Sequence, residues 1–198
     1  HSNLIWSSFD QRFNVVSLPF LFSSTEEADA ALDGAGGEAL GEILESTYNV
    51  HLLGIAENGF RHITNSKHAI ASKADMNGLK MRVAGSQLLN RSYELWGADY
   101  TNANWSEVFT ALQQGVIDGQ ENPIAVIYSN AVYEAQDYLA ITNHVYSPSM
   151  ILFSKPVFEG LDPAYQTALL EAAQEAAAYE RSACEDSEAE QIAEMEAA

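Results

Sequence analysis

The run from Trp105 to Pro123, WSEVFTALQQGVIDGQENP, constrains the fold more than any other part of the chain. Its first half has the apolar spacing of a helix that buries one face, carried by Val108, Phe109 and Leu112. Asn104 followed three residues later by Glu107 predicts the helix start, because this pair matches a capping box. Gly115 predicts the helix end.

The second half of the run predicts a short buried strand and a turn. Val116 and Ile117 begin the strand, and Asn122 is predicted to cap a further helix with Pro123 at its first position. Little in this stretch is typical of catalysis. A helix, a strand and a polar turn in this order are typical of the wall around a small polar ligand.

Elsewhere the sequence alternates between strand-like and helical patterns. Residues 13–22 are an apolar run that predicts a strand followed by a turn. Residues 79–83 alternate as a strand does, and residues 86–97 predict a helix that ends at Gly97. A long Ala- and Glu-rich helix is predicted from residue 162 onward. The alternation predicts an α/β fold with a mainly parallel sheet, or with two such sheets.

The charge balance excludes several classes of partner. The chain carries 28 acidic and only 9 basic side chains, a formal net charge of −19. Because phosphate binding needs clustered cations, we expect no nucleic-acid partner and no binding to anionic membranes. No apolar run reaches the roughly 20 residues of a membrane span, and no segment has the pattern of a secretion signal, so we expect no membrane insertion. A mature exported protein and a cytosolic one both fit this pattern.

No motif of a metal, cofactor or nucleophile site stands out. The histidines are scattered and lack the helical spacing of a zinc site. Phosphate-binding glycine loops and the nucleophile elbow of hydrolases are absent from the sequence. The single cysteine, Cys184, lies among Ala and Glu and reads as an ordinary helix residue. We therefore expect no metal, no cofactor and no enzyme activity.

Two arginines within apolar segments are the strongest candidates for chemistry. Arg82 lies in LKMRV, where alternation places it opposite Leu79, Met81 and Val83. A guanidinium in or beside a strand needs a partner, which is either the carboxylate of a ligand or an internal Asp or Glu. Arg61 poses the same choice. Trp105 is either a ligand-stacking wall or core, and Asn122 is either a ligand donor or a helix cap.

The order of several segments resembles one family. SLPFLF, GFRHITNS, ADMNGLKMRV, the run from Trp105 to Pro123, and YLAITNHVYSP together resemble the periplasmic substrate-binding proteins of TRAP transporters, the DctP-like family. The resemblance covers residues 13–180, and the Gln-Glu-Asn-Pro turn is its most specific part. It implies two α/β lobes of the type II periplasmic binding protein kind, joined by crossing strands and a long C-terminal helix.

Lobe boundaries also follow from the resemblance. Residues 1–58 with 148–187 would form lobe I, and residues 59–147 with 188–198 would form lobe II. The family's first lobe begins well upstream of SLPFLF, so the resemblance implies an incomplete lobe I and a chain shortened at both ends.

The resemblance also implies a ligand and its contacts. Arg82 matches the arginine that binds the substrate carboxylate, and Asn122 matches an asparagine that hydrogen-bonds it. Arg61 and Trp105 match a second arginine and an aromatic wall. The remaining two candidates, beside the strand that crosses between the lobes, are His144 and Tyr146.

The implied function is capture of an organic acid in the periplasm and delivery to a TRAP membrane permease. A sugar acid such as a uronate is favoured, and a C4-dicarboxylate is the alternative within the family. An enzyme acting on a small carboxylic acid is the alternative from another class.

Overall fold

The computed structural model describes all 198 residues and contains one five-stranded sheet. The strands are β1 (Val50–Asn65), β2 (Lys80–Arg82), β3 (Asp99–Thr101), β4 (Gly119–Asn122) and β5 (Tyr138–Ser154). Their order is β3-β2-β4-β1-β5. Strand β2 is parallel to β3 and β4, whereas β1 is antiparallel to both β4 and β5. The α/β class is confirmed, but the prediction of a mainly parallel sheet is wrong, because the long β1–β5 pair is antiparallel.

Eight α-helices and three short 3₁₀ helices surround the sheet. The α-helices are α1 (Asn3–Trp6), α2 (Thr25–Leu32), α3 (Ala35–Tyr48), α4 (Gln87–Trp96), α5 (Trp105–Gln113), α6 (Ile124–Ser129), α7 (Lys155–Glu159) and α8 (Pro163–Ala197). The 3₁₀ helices are Gln11–Ser17, Lys73–Met76 and Val132–Ala135. The predicted long C-terminal helix is confirmed. None of the helices combines the length and the apolar character that a membrane span requires.

The first predicted strand is a 3₁₀ helix instead. Residues 13–22 were expected to be extended, but Gln11–Ser17 forms a 3₁₀ helix capped by the side chain of Asp10, which accepts a hydrogen bond from Arg12 N. Phe13 and Val16 are buried three residues apart, which is the repeat of a 3₁₀ helix. Burial in this run is mixed, because Phe13 and Val16 are buried whereas Val15, Leu18, Phe20 and Leu21 are exposed. The run is not part of the sheet.

The predicted end of helix α4 at Gly97 is confirmed, and its start has a side-chain cap that was not predicted. Ser86 accepts a hydrogen bond from Leu89 N at the start, and Gly97 ends the helix at φ +91°, a conformation that favours glycine. Helix α5 begins at Trp105 as predicted, but the Asn104 side chain makes no capping hydrogen bond.

The predicted strand after α5 begins later than expected. It covers Gly119–Asn122 and not Val116 and Ile117. Asn122 is the last residue of this strand, and Pro123 occupies the capping position of α6, so the predicted cap at Asn122 is wrong. The strand pairing of the Gln-Glu-Asn segment with β1 and β2 takes precedence over its local turn preference.

Two apolar clusters of ten buried residues each lie along the long strands. One packs around α4 and includes Ile63 of β1 and Val145 of β5. The other packs around α3 and includes Ile55 of β1 and Met150 of β5. Both long strands therefore serve both clusters, as crossing strands do. The division of the chain into lobes at residues 58–59, 147–148 and 187–188 stays a prediction.

Candidate functional site

An open cleft of about 470 Å³ contains four of the six predicted site residues. Arg61, Arg82, Trp105 and Asn122 line it, together with residues of α1 and of the segments that follow β2 and β3. Arg82 and Asn122 are the last residues of β2 and β4. Because these parallel neighbours end at the same edge of the sheet, the sequence brings both side chains to one place.

Arg61 is held inside the protein by an ion pair. Its Nε contacts Glu121 Oε2, and its Nη2 donates to Glu121 Oε1 at 2.9 Å and to the Glu121 carbonyl at 2.7 Å. Both side chains are buried, with exposures of 3% and 0%. The sequence left two possible partners for Arg61, the carboxylate of a ligand and an internal Asp or Glu. In the structure the partner is the internal carboxylate of Glu121.

Glu121 is the centre of this buried network. Its Oε1 also accepts a hydrogen bond from Ala84 N at 3.1 Å, and His144 Nε2 lies 3.6 Å from its Oε2. Burial alone would raise the pKa of Glu121, but the Arg61 charge and the neighbouring His144 outweigh it and lower the pKa to about 2. Glu121 is therefore ionised at any physiological pH and balances the charge of Arg61.

Arg82 has a different environment. Its only hydrogen bond within the protein runs from Nε to the Ala103 carbonyl at 3.1 Å, and it forms no ion pair. Its Cζ lies 5.4 Å from the centre of the Trp105 ring, which is within the range of a cation–π contact. Burial lowers the pKa of Arg82, which shows the cost of keeping this cation partly out of water. The guanidinium retains donors for an anion in the cleft.

The Asn122 side chain is held by two hydrogen bonds within the protein. Its Oδ1 accepts a hydrogen bond from Arg61 Nη2 at 2.9 Å, and its Nδ2 donates to Gln120 Oε1 at 2.6 Å. An amide nitrogen carries two hydrogens, so one N–H remains for a ligand. The internal bonds fix the orientation of this amide at the wall of the cleft.

His144 and Tyr146 do not line the cleft. His144 is buried beside Thr142 and borders a separate apolar cavity, and it reaches the site only through Glu121. The Tyr146 hydroxyl lies 3.3 Å from Asp29 Oδ1, and its ring packs on Phe60 in an apolar cluster. Their assignment to the ligand stays a prediction that the shape of this cleft does not support.

The sequence interpretation missed Glu121 and several residues of the lining, of which Asn58 is one. The need of a buried arginine for a partner pointed to some carboxylate, but nothing in the sequence distinguishes Glu121 from 27 other acidic residues. Asn58 lies within β1 and lines the cleft. Its only signal is an Asn-Gly pair inside a strand-like run.

A larger cavity of about 560 Å³ lies between α3, β1 and α8. Its one cation, Arg181, donates to both carboxylate oxygens of Asp33 at 2.9 Å and to the Ile55 carbonyl at 2.7 Å. That charge is already balanced, so this cavity offers no free group for an anion. No cluster of His, Cys, Asp or Glu side chains in the protein has the arrangement of a metal site.

Comparison with known proteins gives one consistent family. The family described as bacterial extracellular solute-binding protein, family 7 (DctP), matches residues 1–198. A solute-binding protein of Verminephrobacter eiseniae is 39% identical over 190 residues, covering 96% of this chain and 56% of that protein. The 2,3-diketo-L-gulonate-binding periplasmic protein YiaO of Escherichia coli is 39% identical over 168 residues, covering 85% of this chain and 51% of YiaO. The chain thus spans about half the length of these relatives.

Solved structures agree with the sequence matches. A TRAP periplasmic solute-binding protein of Polaromonas, bound to D-erythronate, superposes with a TM-score of 0.94 at 37% identity, covering 98% of this chain and 64% of that one. The sugar-acid-binding protein DctPAm of Advenella mimigardefordensis, in complex with galactonate, gives 0.92 at 36% identity, covering 96% and 61%. A TRAP periplasmic solute-binding protein of Roseobacter denitrificans with β-D-glucuronate gives 0.95 at 29% identity, covering 100% and 65%.

Proposed function

Because the chain belongs to family 7 of the bacterial extracellular solute-binding proteins, the DctP family, we propose that it captures an organic acid anion in the periplasm and delivers it to a TRAP membrane permease. A sugar acid is the favoured ligand. Its carboxylate binds Arg82 and the free N–H of Asn122, and closure of the cleft around it removes water.

One observation carries this proposal. Arg82 faces the cleft, is partly desolvated, and forms no ion pair within the protein. A partly buried cation is costly without an anionic partner, so a carboxylate that enters the cleft finds a site that is already prepared for it. Exclusion of water on closure lowers the local dielectric constant and strengthens the pair.

The charge balance favours an acid with a single carboxylate. Three ionised groups lie in the cleft or directly behind its wall. Arg61 and Arg82 each carry one positive charge and Glu121 carries one negative charge, so the net charge of the site is +1. A C4-dicarboxylate needs two free cationic anchors, and Arg61 is already paired. The rest of the polar lining is neutral and suits the hydroxyls of a sugar acid, being Ser2, Ser8, Asn58, Asn102, Asn104 and Asn122.

The solved relatives support the same ligand class. The bound molecules named for three of them are D-erythronate, galactonate and β-D-glucuronate, each with one carboxylate and several hydroxyls. The E. coli relative is named for binding 2,3-diketo-L-gulonate, which also has one carboxylate.

Binding without chemical conversion fits the residues of the cleft. The members of this family are solute-binding transport proteins and not enzymes. The lining contains no His, Cys, Lys, Asp or Glu that could act as a nucleophile or a general base. An enzyme that acts on a small acid is therefore the weaker alternative.

A ligand panel tests the proposal. D-galactonate, D-glucuronate and D-erythronate are compared with succinate and malate by thermal unfolding of the purified protein, followed by calorimetric titration. A ligand that binds only the folded protein raises its melting temperature. We expect stabilisation by sugar acids and a much smaller effect of dicarboxylates, with each acid recovered unchanged by NMR. Preference for succinate or malate would contradict the sugar-acid assignment, and conversion of any acid would favour the enzyme.

A further inference from the structure

Strand β1 contains an irregularity where it borders the cleft. Glu57 pairs with Pro148 of β5 and Gly59 pairs with Ser147, so Asn58 is an extra residue with no partner across the ladder. Such a β-bulge turns a side chain away from its regular direction, and bulges are common beside functional sites. Here the extra residue is the one residue of the bulge that lines the cleft.

The bulge packs against the residue that follows β4. Gly59 has φ +98°, which favours glycine, and a Cβ at this position would lie 3.3 Å from Cβ of Pro123. Pro123 follows Asn122 directly. The backbone that carries Asn58 therefore packs tightly against the turn that carries the proposed carboxylate donor.

The Asn58 amide is largely unused within the protein. Its one hydrogen bond is a long one, from Nδ2 to Ser147 Oγ at 3.4 Å. The Ser147 hydroxyl has an alternative partner in Ser2 Oγ at 3.3 Å. An asparagine amide offers two donor hydrogens and two acceptor lone pairs, so most of this capacity is unused within the protein, and Asn58 lines the open cleft.

The backbone at this position does not require asparagine. Asn58 lies outside the left-handed region, where asparagine and glycine are favoured, and the positive φ falls on Gly59 instead. The one buried group that the Asn58 side chain bonds, the Ser147 hydroxyl, also has Ser2 Oγ as a partner, so Asn58 is free to serve a ligand.

We propose that Asn58 determines specificity by hydrogen-bonding a hydroxyl of the bound acid, so that the cleft distinguishes polyhydroxy acids from acids of the same length without hydroxyls. This inference rests on the proposed function, since Arg82 supplies the carboxylate contact. The amide can both donate to and accept from a hydroxyl, and a site built to bond a hydroxyl rejects an analogue that lacks it.

The test compares D-galactonate with hexanoate, which has the same chain length and no hydroxyls. Dissociation constants are measured for the wild type, Asn58→Ala and the control Asn77→Ala, whose exposed amide bonds only the Ala74 carbonyl. We expect Asn58→Ala to bind galactonate about tenfold more weakly, the equivalent of one hydrogen bond, with hexanoate unchanged. Thermal unfolding confirms that each variant is folded, and Asn58→Ser, which keeps a hydroxyl, should recover part of the loss.

Three results would overturn the inference. Unchanged galactonate affinity in folded Asn58→Ala would show that the amide makes no ligand contact. An equal loss of affinity for galactonate and hexanoate would show that Asn58 shapes the cleft and does not bind a hydroxyl of the ligand. If the wild type binds none of the sugar acids, the proposed function fails, and this inference fails with it.

Discussion

The two arginines of the cleft have the same side chain in two different environments. Arg61 is buried and makes four contacts to Glu121 and Asn122. Arg82 is half-buried, lies over the Trp105 ring, and has one internal hydrogen bond. The first arginine has its counter-charge within the protein, and the second does not.

The two environments suit two different roles, a structural one for Arg61 and a ligand-binding one for Arg82. A buried ion pair that satisfies its own hydrogen bonds can orient its neighbours, as Arg61 does by donating to Oδ1 of the Asn122 side chain. A desolvated cation without a counter-charge is costly to the folded protein unless something else compensates it. In our account Arg61 holds the wall of the cleft and Arg82 binds the ligand.

The largest expected effect comes from removing the partner of Arg61. Glu121→Ala leaves a buried guanidinium without its counter-charge, and we expect the free energy of unfolding to fall by about 3–5 kcal/mol. Urea denaturation measures this. The control is Glu94→Ala, which breaks an exposed pair with Arg91 and should cost less than about 1 kcal/mol. A Glu121 variant as stable as the control would show that Arg61 does not depend on this pair.

A third ionisable group, the buried carboxyl of Glu57, extends the comparison of the two arginines. Glu57 is 7% exposed, and its Oε2 has no hydrogen-bond partner. The pKa of Glu57 is raised from 4.5 to about 7, first by burial and then by the nearby carboxylates of Asp29 on α2 and of Glu180, Glu185 and Glu188 on α8. Arg61 is compensated by an ion pair and Glu57 by protonation, whereas Arg82 is compensated by a ligand in our proposal.

This contrast predicts a pH dependence of stability. Between pH 4.5 and about 7 the folded protein keeps a proton on Glu57 that the unfolded chain has lost, so this residue lowers stability as the pH rises. Glu57→Gln removes the effect, and we expect it to raise the free energy of unfolding at pH 8 by about 1–2 kcal/mol after allowance for solvent screening. Near pH 5 the variant and the wild type should be almost equally stable.

Urea denaturation at the two pH values checks the Glu57 prediction. An equal gain at both would assign the effect to packing and not to ionisation. Glu121 should show the opposite pH dependence, because its pKa is lowered from 4.5 to about 2. Its contribution to stability is complete above pH 4.5 and is lost as the pH falls from 4.5 towards 2.

The smallest expected effect concerns the ring beside Arg82. Trp105→Leu removes the cation–π contact, and we expect sugar-acid affinity to fall by about 0.5–1 kcal/mol, or two- to fivefold. Trp105→Phe should retain most of the affinity, because a phenyl ring keeps the aromatic face. Calorimetric titration separates the two variants. Equal losses in both would mean that the indole supports Arg82 through its size or its N–H.

Local signals predicted much of the fold, and pairing partners explain where they failed. Gly97 ended α4 and Pro163 opened α8 as expected, because these residues act on their own backbone. The run at residues 13–22 was apolar enough for a strand, but it is not part of the sheet, and its first residues belong to the 3₁₀ helix Gln11–Ser17. The antiparallel pairing of β1 with β5 also could not be predicted from the sequence, because the paired residues lie about 90 positions apart.

The site was predictable in its composition but not in its pairing. Arg61, Arg82, Trp105 and Asn122 were named from the sequence, and the structure brings all four to one cleft. Arg61 forms an ion pair with Glu121, whereas Arg82 forms none. This difference depends on the register of β4 with β1 and β2, which the sequence does not reveal. Asn58 escaped prediction because its role follows from a register shift with β5.

The central claim is that Arg82 binds the carboxylate of the ligand. The most direct test is calorimetric titration of Arg82→Ala with D-galactonate, beside the control Arg91→Ala, an exposed arginine on α4. We predict that Arg82→Ala loses affinity by about 100-fold or more, since truncating one partner of a desolvated charge pair costs several kcal/mol. Its thermal stability and the affinity of the control should remain close to those of the wild type. Near wild-type affinity in a folded Arg82→Ala protein would contradict the account.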